Sequence, residues 1–267
     1  MDSLLLMDKS VQLRNASMII GLSGWVNAGE VSTLSVKYLI GRLGAKKLGE
    51  IASERFHFYQ VQRPIVVVKD GLVEEYEPPK NSLFYWKDEK EERTDLAFLL
   101  GAEPHLDWPS YSRTVLDAAI SLGVNRIYTT GGYIVDPSVI TEPFVTGSSN
   151  KSEILVELEK FGVELVDYTG PTSVYSEILW QSRTRDVDVV SLWCAVPFHG
   201  QESDFKALYT LLSKLVGMVG LNLDLEDLKQ KSDRYDTHVP PGTEERMRLV
   251  FGDLEKSRSV KRPSYFV

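Results

Sequence analysis

Apolar positions along the chain follow two alternating rhythms. Compact apolar or β-branched runs at residues 18–22, 64–68, 82–86, 94–100, 124–130, 163–168 and 187–196 predict strands. A weaker strand is predicted at 46–51, and the apolar residues at 3–7 read as a short strand or arm. Between these runs, apolar residues at three- and four-residue spacing predict helices at 29–42, 108–122, 151–161, 170–183 and 203–216. Asp107 is a good N-cap for the helix that carries Pro109, and Pro171 suits a first helical position. Strand and helix taking turns is the order of an α/β domain. We expect a three-layer α/β/α sandwich around a mostly parallel sheet over residues 1–220. Asp70-Gly71 is hairpin-turn chemistry, so residues 64–86 predict a β-hairpin arm beside that sheet. Gly131-Gly132 is expected to close its strand, and residues 133–150 to form a long irregular loop. Residues 221–267 predict a helical C-terminal extension, with helices near 225–239 and 243–256 and a basic tail.

The stretch Gly21-Leu22-Ser23-Gly24-Trp25-Val26-Asn27-Ala28-Gly29-Glu30 joins the first long strand to the first helix. Glycines there let the backbone turn tightly and approach a neighbour or ligand closely. A free helix N-terminus after Gly29 could hold an anion. The nucleotide motifs do not fit, however. Gly24 and Gly29 have Walker A spacing, but Glu30 and Val31 stand where Lys and Ser/Thr are required. Gly21, Gly24 and Gly29 do not make the dinucleotide fingerprint, and Ser23 is out of register for a nucleophile elbow. The turn is therefore expected to be structural, and to line a pocket if one is present.

A formal net charge of −8 argues against nucleic acid or an anionic membrane surface as partner. The single cysteine, Cys194, excludes an intrachain disulfide framework and fits a cytoplasmic setting. Leu4-Leu5-Leu6 lacks the basic flank and length of a signal peptide, and no run is long enough to span a membrane.

Groups for chemistry are sparse. His57, His105, His199 and His238 have no metal-ligand spacing, so no metal or cofactor is expected. Cys194 sits in an apolar strand and reads as a buried small hydrophobe. Asp95 and Glu103 bracket one strand and read first as satisfied strand-end carboxylates, with an acid/base pair as the sharper alternative. No residue is assigned a catalytic role. A pocket at the C-terminal strand ends would be lined by Gly24, Trp25, Asn27, Gly29, Glu103, Gly131, Gly132 and Thr146. That pocket is the basis of the alternative function, a small-molecule binder or enzyme acting on a nucleoside or phosphate compound.

Several signatures occur in order: Gly21 through Gly29, Arg63-Pro64, Asp95 through Gly101-Ala102-Glu103-Pro104, Trp108, Gly131-Gly132, Thr146-Gly147 and Tyr168-Thr169-Gly170-Pro171-Thr172. Together they resemble the proteasome assembly chaperone family of the second-subunit type, in its prokaryotic branch, over about residues 1–240. The resemblance implies an α/β/α fold shaped like nucleoside phosphorylases, a homo-oligomer (a trimer is favoured) and a non-enzymatic role in binding a proteasome-like complex. The closing Tyr265-Phe266-Val267 is similar to the hydrophobic–Tyr–any terminus by which such proteins dock between proteasome α-subunits, with Phe266 in place of Tyr. Arg258, Lys261, Arg262 and Pro263 form its solvated stem.

Overall fold

The computed structural model describes residues 5–8, 10–52, 54–89, 94–137, 139–197 and 203–234. The second helix expected in the C-terminal extension and the Tyr265-Phe266-Val267 tail lie outside the described residues. The chain runs β1 (Leu5–Met7), β2 (Ala16–Ser23), α1 (Val31–Leu43), β3 (Lys46–Ile51), β4 (Ile65–Lys69), β5 (Leu72–Glu77), β6 (Asn81–Trp86) and β7 (Leu96–Ala102). It continues through α2 (Trp108–Ser121), β8 (Val124–Val135), β9 (Val145–Ser149), α3 (Ser152–Lys160), β10 (Glu164–Leu165), α4 (Val174–Ser182), β11 (Asp188–Pro197), α5 (Phe205–Met218) and α6 (Glu226–Asp233).

Nine strands form one sheet in the order β1-β3-β6-β7-β2-β8-β11-β9-β10, and β4 and β5 form a separate two-stranded sheet. The central strands β7, β2, β8 and β11 are mutually parallel. The flanks are not: β1, β3, β6 and β7 pair antiparallel in succession, and β9 runs antiparallel to β11. The sheet is thus mixed rather than mostly parallel. The reason is connectivity. β7 follows β6 and turns back on it, and β6 returns antiparallel to β3 after the β4–β5 excursion, pairings that need no helical crossover.

Alternation on the central strands divides the core. Met18, Ile20 and Leu22 of β2 point to one face with Ala97, Leu99 and Ile127, where Tyr111, Val115 and Leu116 of α2 and Val174, Tyr175 and Ile178 of α4 pack on them. Ile19, Phe98, Tyr128, Val190 and Leu192 point to the other face, against α1, α3, α5 and Leu228 of α6. Helices therefore cover both faces of the sheet. The described part of the C-terminal extension packs on this second face, where Tyr38 of α1 hydrogen-bonds Asp227 (2.6 Å) and Arg42 reaches the Asp224 carbonyl (3.0 Å).

Several local expectations are corrected. β6 belongs to the main sheet, between β3 and β7, so the projecting arm is only β4–β5. Gly131-Gly132 lies inside β8, which runs on to Val135, and β9 occupies part of the expected loop. β10 is two residues long. α4 starts after Ser173, whose hydroxyl accepts from the Tyr175 N–H, and not at Pro171. Of the aromatic residues that flank the arm, Phe56 is buried edge-on to Tyr111, and Phe84 and Trp86 lean on the core, while Phe58 is exposed.

Candidate functional site

The turn after β2 is held from four sides. Its first residue, Gly24, has φ +107°, a region that side chains disfavour. The N–H of Glu103, just past β7, donates to the Ser23 carbonyl (2.9 Å), continuing the β2–β7 pairing past the strand ends. The Gly132 N–H of β8 donates to the Val26 carbonyl (2.8 Å), and Asn27 bridges Gly132. The Asn27 side chain then caps α1: its Oδ1 accepts from the Thr33 N–H (3.0 Å), and its Nδ2 donates to the Thr33 hydroxyl (3.1 Å). Gly29 (φ +59°) lies against Asp204 at the start of α5, whose N–H donates to the Gly29 carbonyl (2.9 Å). Polar groups of the turn are consumed in positioning backbone, which is the structural reading of the motif.

Glu103 clasps this corner. Its Oε1 accepts from the Val174 N–H at the start of α4 (3.1 Å), and the carboxylate also accepts from the Trp25 N–H. Burial raises its pKa above the usual carboxylate value, and the two backbone donors work in the opposite direction. Beneath it, the Leu22 N–H donates both to the Ser32 hydroxyl of α1 and to the Tyr175 hydroxyl of α4, each at 2.9 Å. Trp193 of β11 lies over Gly131, where a Cβ would meet its ring at 2.7 Å, and stands edge-on to both Trp25 (6.2 Å) and Tyr175 (5.9 Å). Thr146 is opposite Trp193 in the β9–β11 register and donates its hydroxyl to the Trp193 carbonyl (3.3 Å). The residues Gly24, Trp25, Asn27, Gly29, Glu103, Gly131, Gly132 and Thr146 thus gather around the ends of the central strands, with Trp25 exposed at the rim.

The sequence profile of the PAC2 family matches residues 21–240, a span that takes in this whole corner. The chain belongs to the PAC2 family. Among solved structures it is similar to a PAC2 family protein from Streptomyces avermitilis, at 24% identity and TM-score 0.74, covering 82% of this chain and 92% of that one. A Mycobacterium tuberculosis proteasome-assembly chaperone homologue, Rv2125, matches at 20% identity and TM-score 0.73 over 92% of this chain and 97% of that one. PbaB of Pyrococcus furiosus, an archaeal proteasome activator, matches at 25% identity and TM-score 0.69 over 92% and 97%. No curated protein matches the sequence.

Within this PAC2 chain, two cavities lie away from the corner. One, of about 470 Å³, opens at the opposite end of the central strands, where Arg126 grips Glu157 (2.8 Å) and approaches Asp188 (3.4 Å), itself paired with Lys151. The other, of about 500 Å³, lies between α2 and α4 and is lined by Arg113, Trp180, Gln181, Arg183, Thr184 and Arg185. Neither includes a residue assigned from sequence to the pocket. A buried polar chain also escaped sequence reading: the Tyr111 hydroxyl donates to Asn81 Oδ1 (3.2 Å), and Asn81 Nδ2 meets His57 Nε2 (3.0 Å). Burial, then the neighbouring His105 ring, pushes His57 down to about 4, so it is neutral at ordinary pH. Cys194 is buried and its thiol is pushed far up by burial, as a small core residue rather than a nucleophile. Among the described residues no cluster of three or more His, Cys, Asp or Glu could hold a metal, and no helix is long and apolar enough to cross a membrane.

Proposed function

We propose that the chain is a non-enzymatic, homo-oligomeric binding protein that acts on a proteasome-like complex as an assembly chaperone or activator. The observation that carries the reading is membership of the PAC2 family together with a likeness to the archaeal proteasome activator that spans nearly the full length of both chains. The chemistry of the strand-end corner supports it. Asn27, Glu103 and Tyr175 all spend their polar groups on backbone or on α1, so the corner serves as a rigid joint. Docking is assigned to Tyr265-Phe266-Val267, where two adjacent rings supply apolar burial at low rotamer cost on a basic stem. A trimer is the favoured assembly, and the cytoplasm the expected site of action.

The test is binding to 20S particles from the source organism, measured with the intact protein and with a variant lacking the last three residues. The intact protein is expected to bind at micromolar concentration and the truncated one to lose at least about tenfold in affinity, or about 1.4 kcal/mol. No binding by the intact protein at tens of micromolar would refute the proteasome reading. Equal binding by both would refute the tail.

A further inference from the structure

The β4–β5 hairpin is the part of the described chain whose surface the fold leaves unexplained. It pairs with no strand of the main sheet. A lone two-stranded ribbon is marginal in water and gains stability by being covered. Its register shows which way it is built. Val66 is opposite Tyr76 and Val68 opposite Val73, so these four side chains share one face. A register shift between Val67 and Val68 makes this possible by leaving Glu74 as an extra residue. Without that shift Glu74 would stand opposite Val68 and put a carboxylate into the apolar face. All four apolar residues are between 51% and 68% exposed. The other face pairs Ile65 with Glu77 and Val67 with Glu75. Lys69 and Lys80 neutralise Glu74 and Glu77, which leaves Asp70 at the tip and Glu75 without an ion pair among the described residues.

The α2–α4 hollow has the complementary character. Trp180 is 66% exposed, and the Arg183 guanidinium lies over its ring at 4.7 Å. Arg185 pairs with Asp117, but Arg113 and Arg183 have no carboxylate partner among the described residues, on a chain whose net charge is −8. Aromatic and arginine side chains together are what interface centres favour. Because hairpin and Trp180 are both exposed, neither covers the other within one chain.

We infer that the hairpin of one copy docks on the Trp180–arginine hollow of a second copy, head to tail. Tyr76 and Val73 of β5 meet Trp180, while Asp70 at the tip of the ribbon faces Arg113 and Arg183. The contact joins two different surfaces, so each copy keeps a free hairpin and a free hollow until a ring closes. This inference rests on the homo-oligomer reading above and names the surfaces that would build it.

The experiment uses three full-length proteins in sedimentation velocity: the parent, a hairpin variant V73E/Y76E and a hollow variant W180E/R183E. All four substituted side chains are on exposed surface, and melting temperature checks the fold. V73S/Y76S replaces the hairpin variant if that one melts early. The parent is expected to be an oligomer and each variant a monomer. Mixing the two variants is expected to yield a 1:1 dimer and nothing larger, because the mixture contains one intact hairpin matched to one intact hollow. A monomeric parent would overturn the oligomer reading and this inference with it. An oligomeric parent whose variants keep its mass, or whose monomeric variants fail to pair on mixing, would overturn the hairpin–hollow contact alone.

Discussion

Replacing Gly21 by alanine tests how closely α1 is seated on β2. A Cβ at Gly21 would lie 2.3 Å from the Ser32 carbonyl oxygen and 2.7 Å from a Val36 methyl, both on α1. Van der Waals contact needs roughly 1 Å more, and the nearest obstacle is backbone, so the helix itself must retreat. That retreat also stretches the bond from the Leu22 N–H to the Ser32 hydroxyl. Overpacking costs about 1–3 kcal/mol and a weakened buried hydrogen bond about 1 kcal/mol. Removing a glycine from a strand returns about 0.5–1 kcal/mol. The net loss is about 1–3 kcal/mol, or roughly 3–10 °C in melting temperature for a chain of this size. Gly41, on the exposed side of the same helix, has nothing within 4 Å of its added Cβ and ordinary helical geometry. There the same substitution should stabilise by about 0.5–1 kcal/mol. Urea unfolding followed by tryptophan fluorescence reads both. A Gly21→Ala protein as stable as its parent would show that α1 is not seated on β2 in the way described.

Glu103→Gln places an amide N–H₂ against one of two backbone donors, so it should destabilise by about 1–2 kcal/mol at pH 7. Burial raises the folded carboxyl above its unfolded value, so the ionised form is the disfavoured one. Stability of the parent relative to the glutamine variant should therefore rise as pH falls through the folded value toward the unfolded one, about 4.3, and a flat difference would contradict the dominance of burial over the two backbone donors at Glu103. Cys194 should react with a thiol reagent only after denaturant is added, and prompt stoichiometric labelling of the folded protein would argue against its burial.

The apolar rhythms suffice for most elements because each central strand is buried on both faces and each helix on one. They fail where partners decide. The sequence 82–86 reads as a strand, but nothing local says whether it joins β5 or β7; burial of Asn81 against Gly101 and of Leu83 opposite Leu99 settles it in favour of β7. Gly131-Gly132 looks like a terminator because glycine lacks a side chain to pack. In the fold that absence admits the Trp193 ring on one side and the Ala28 carbonyl on the other. The gathering of Gly24, Asn27, Glu103 and Gly132 was legible from strand-end logic. Tyr175 and Ser32, which bind the joint together, carry no local signature, being ordinary residues on two helices far apart in sequence. The hollow joins Arg113 to residues of α4 and just beyond it, so its composition emerges only when α2 and α4 are side by side.

The central position of β2 has a consequence for how the chain comes off the ribosome. β2 is made before both of its partners: Met18 pairs with Ile127, about 110 residues later, and its other neighbour carries Ala97. At about 5–20 residues per second, an almost wholly apolar strand waits roughly 5–20 s for its second partner. α1 can fold over one face in that interval, since Gly21 and Ser32 are close in sequence, but the face that takes α2 and α4 is not closed until α4 brings the Tyr175 hydroxyl, made later still. Nascent chains of this fold are therefore most vulnerable to aggregation between the emergence of β2 and that of α4, and slow parallel pairing makes β2 the segment that a ribosome-associated holdase has most reason to cover.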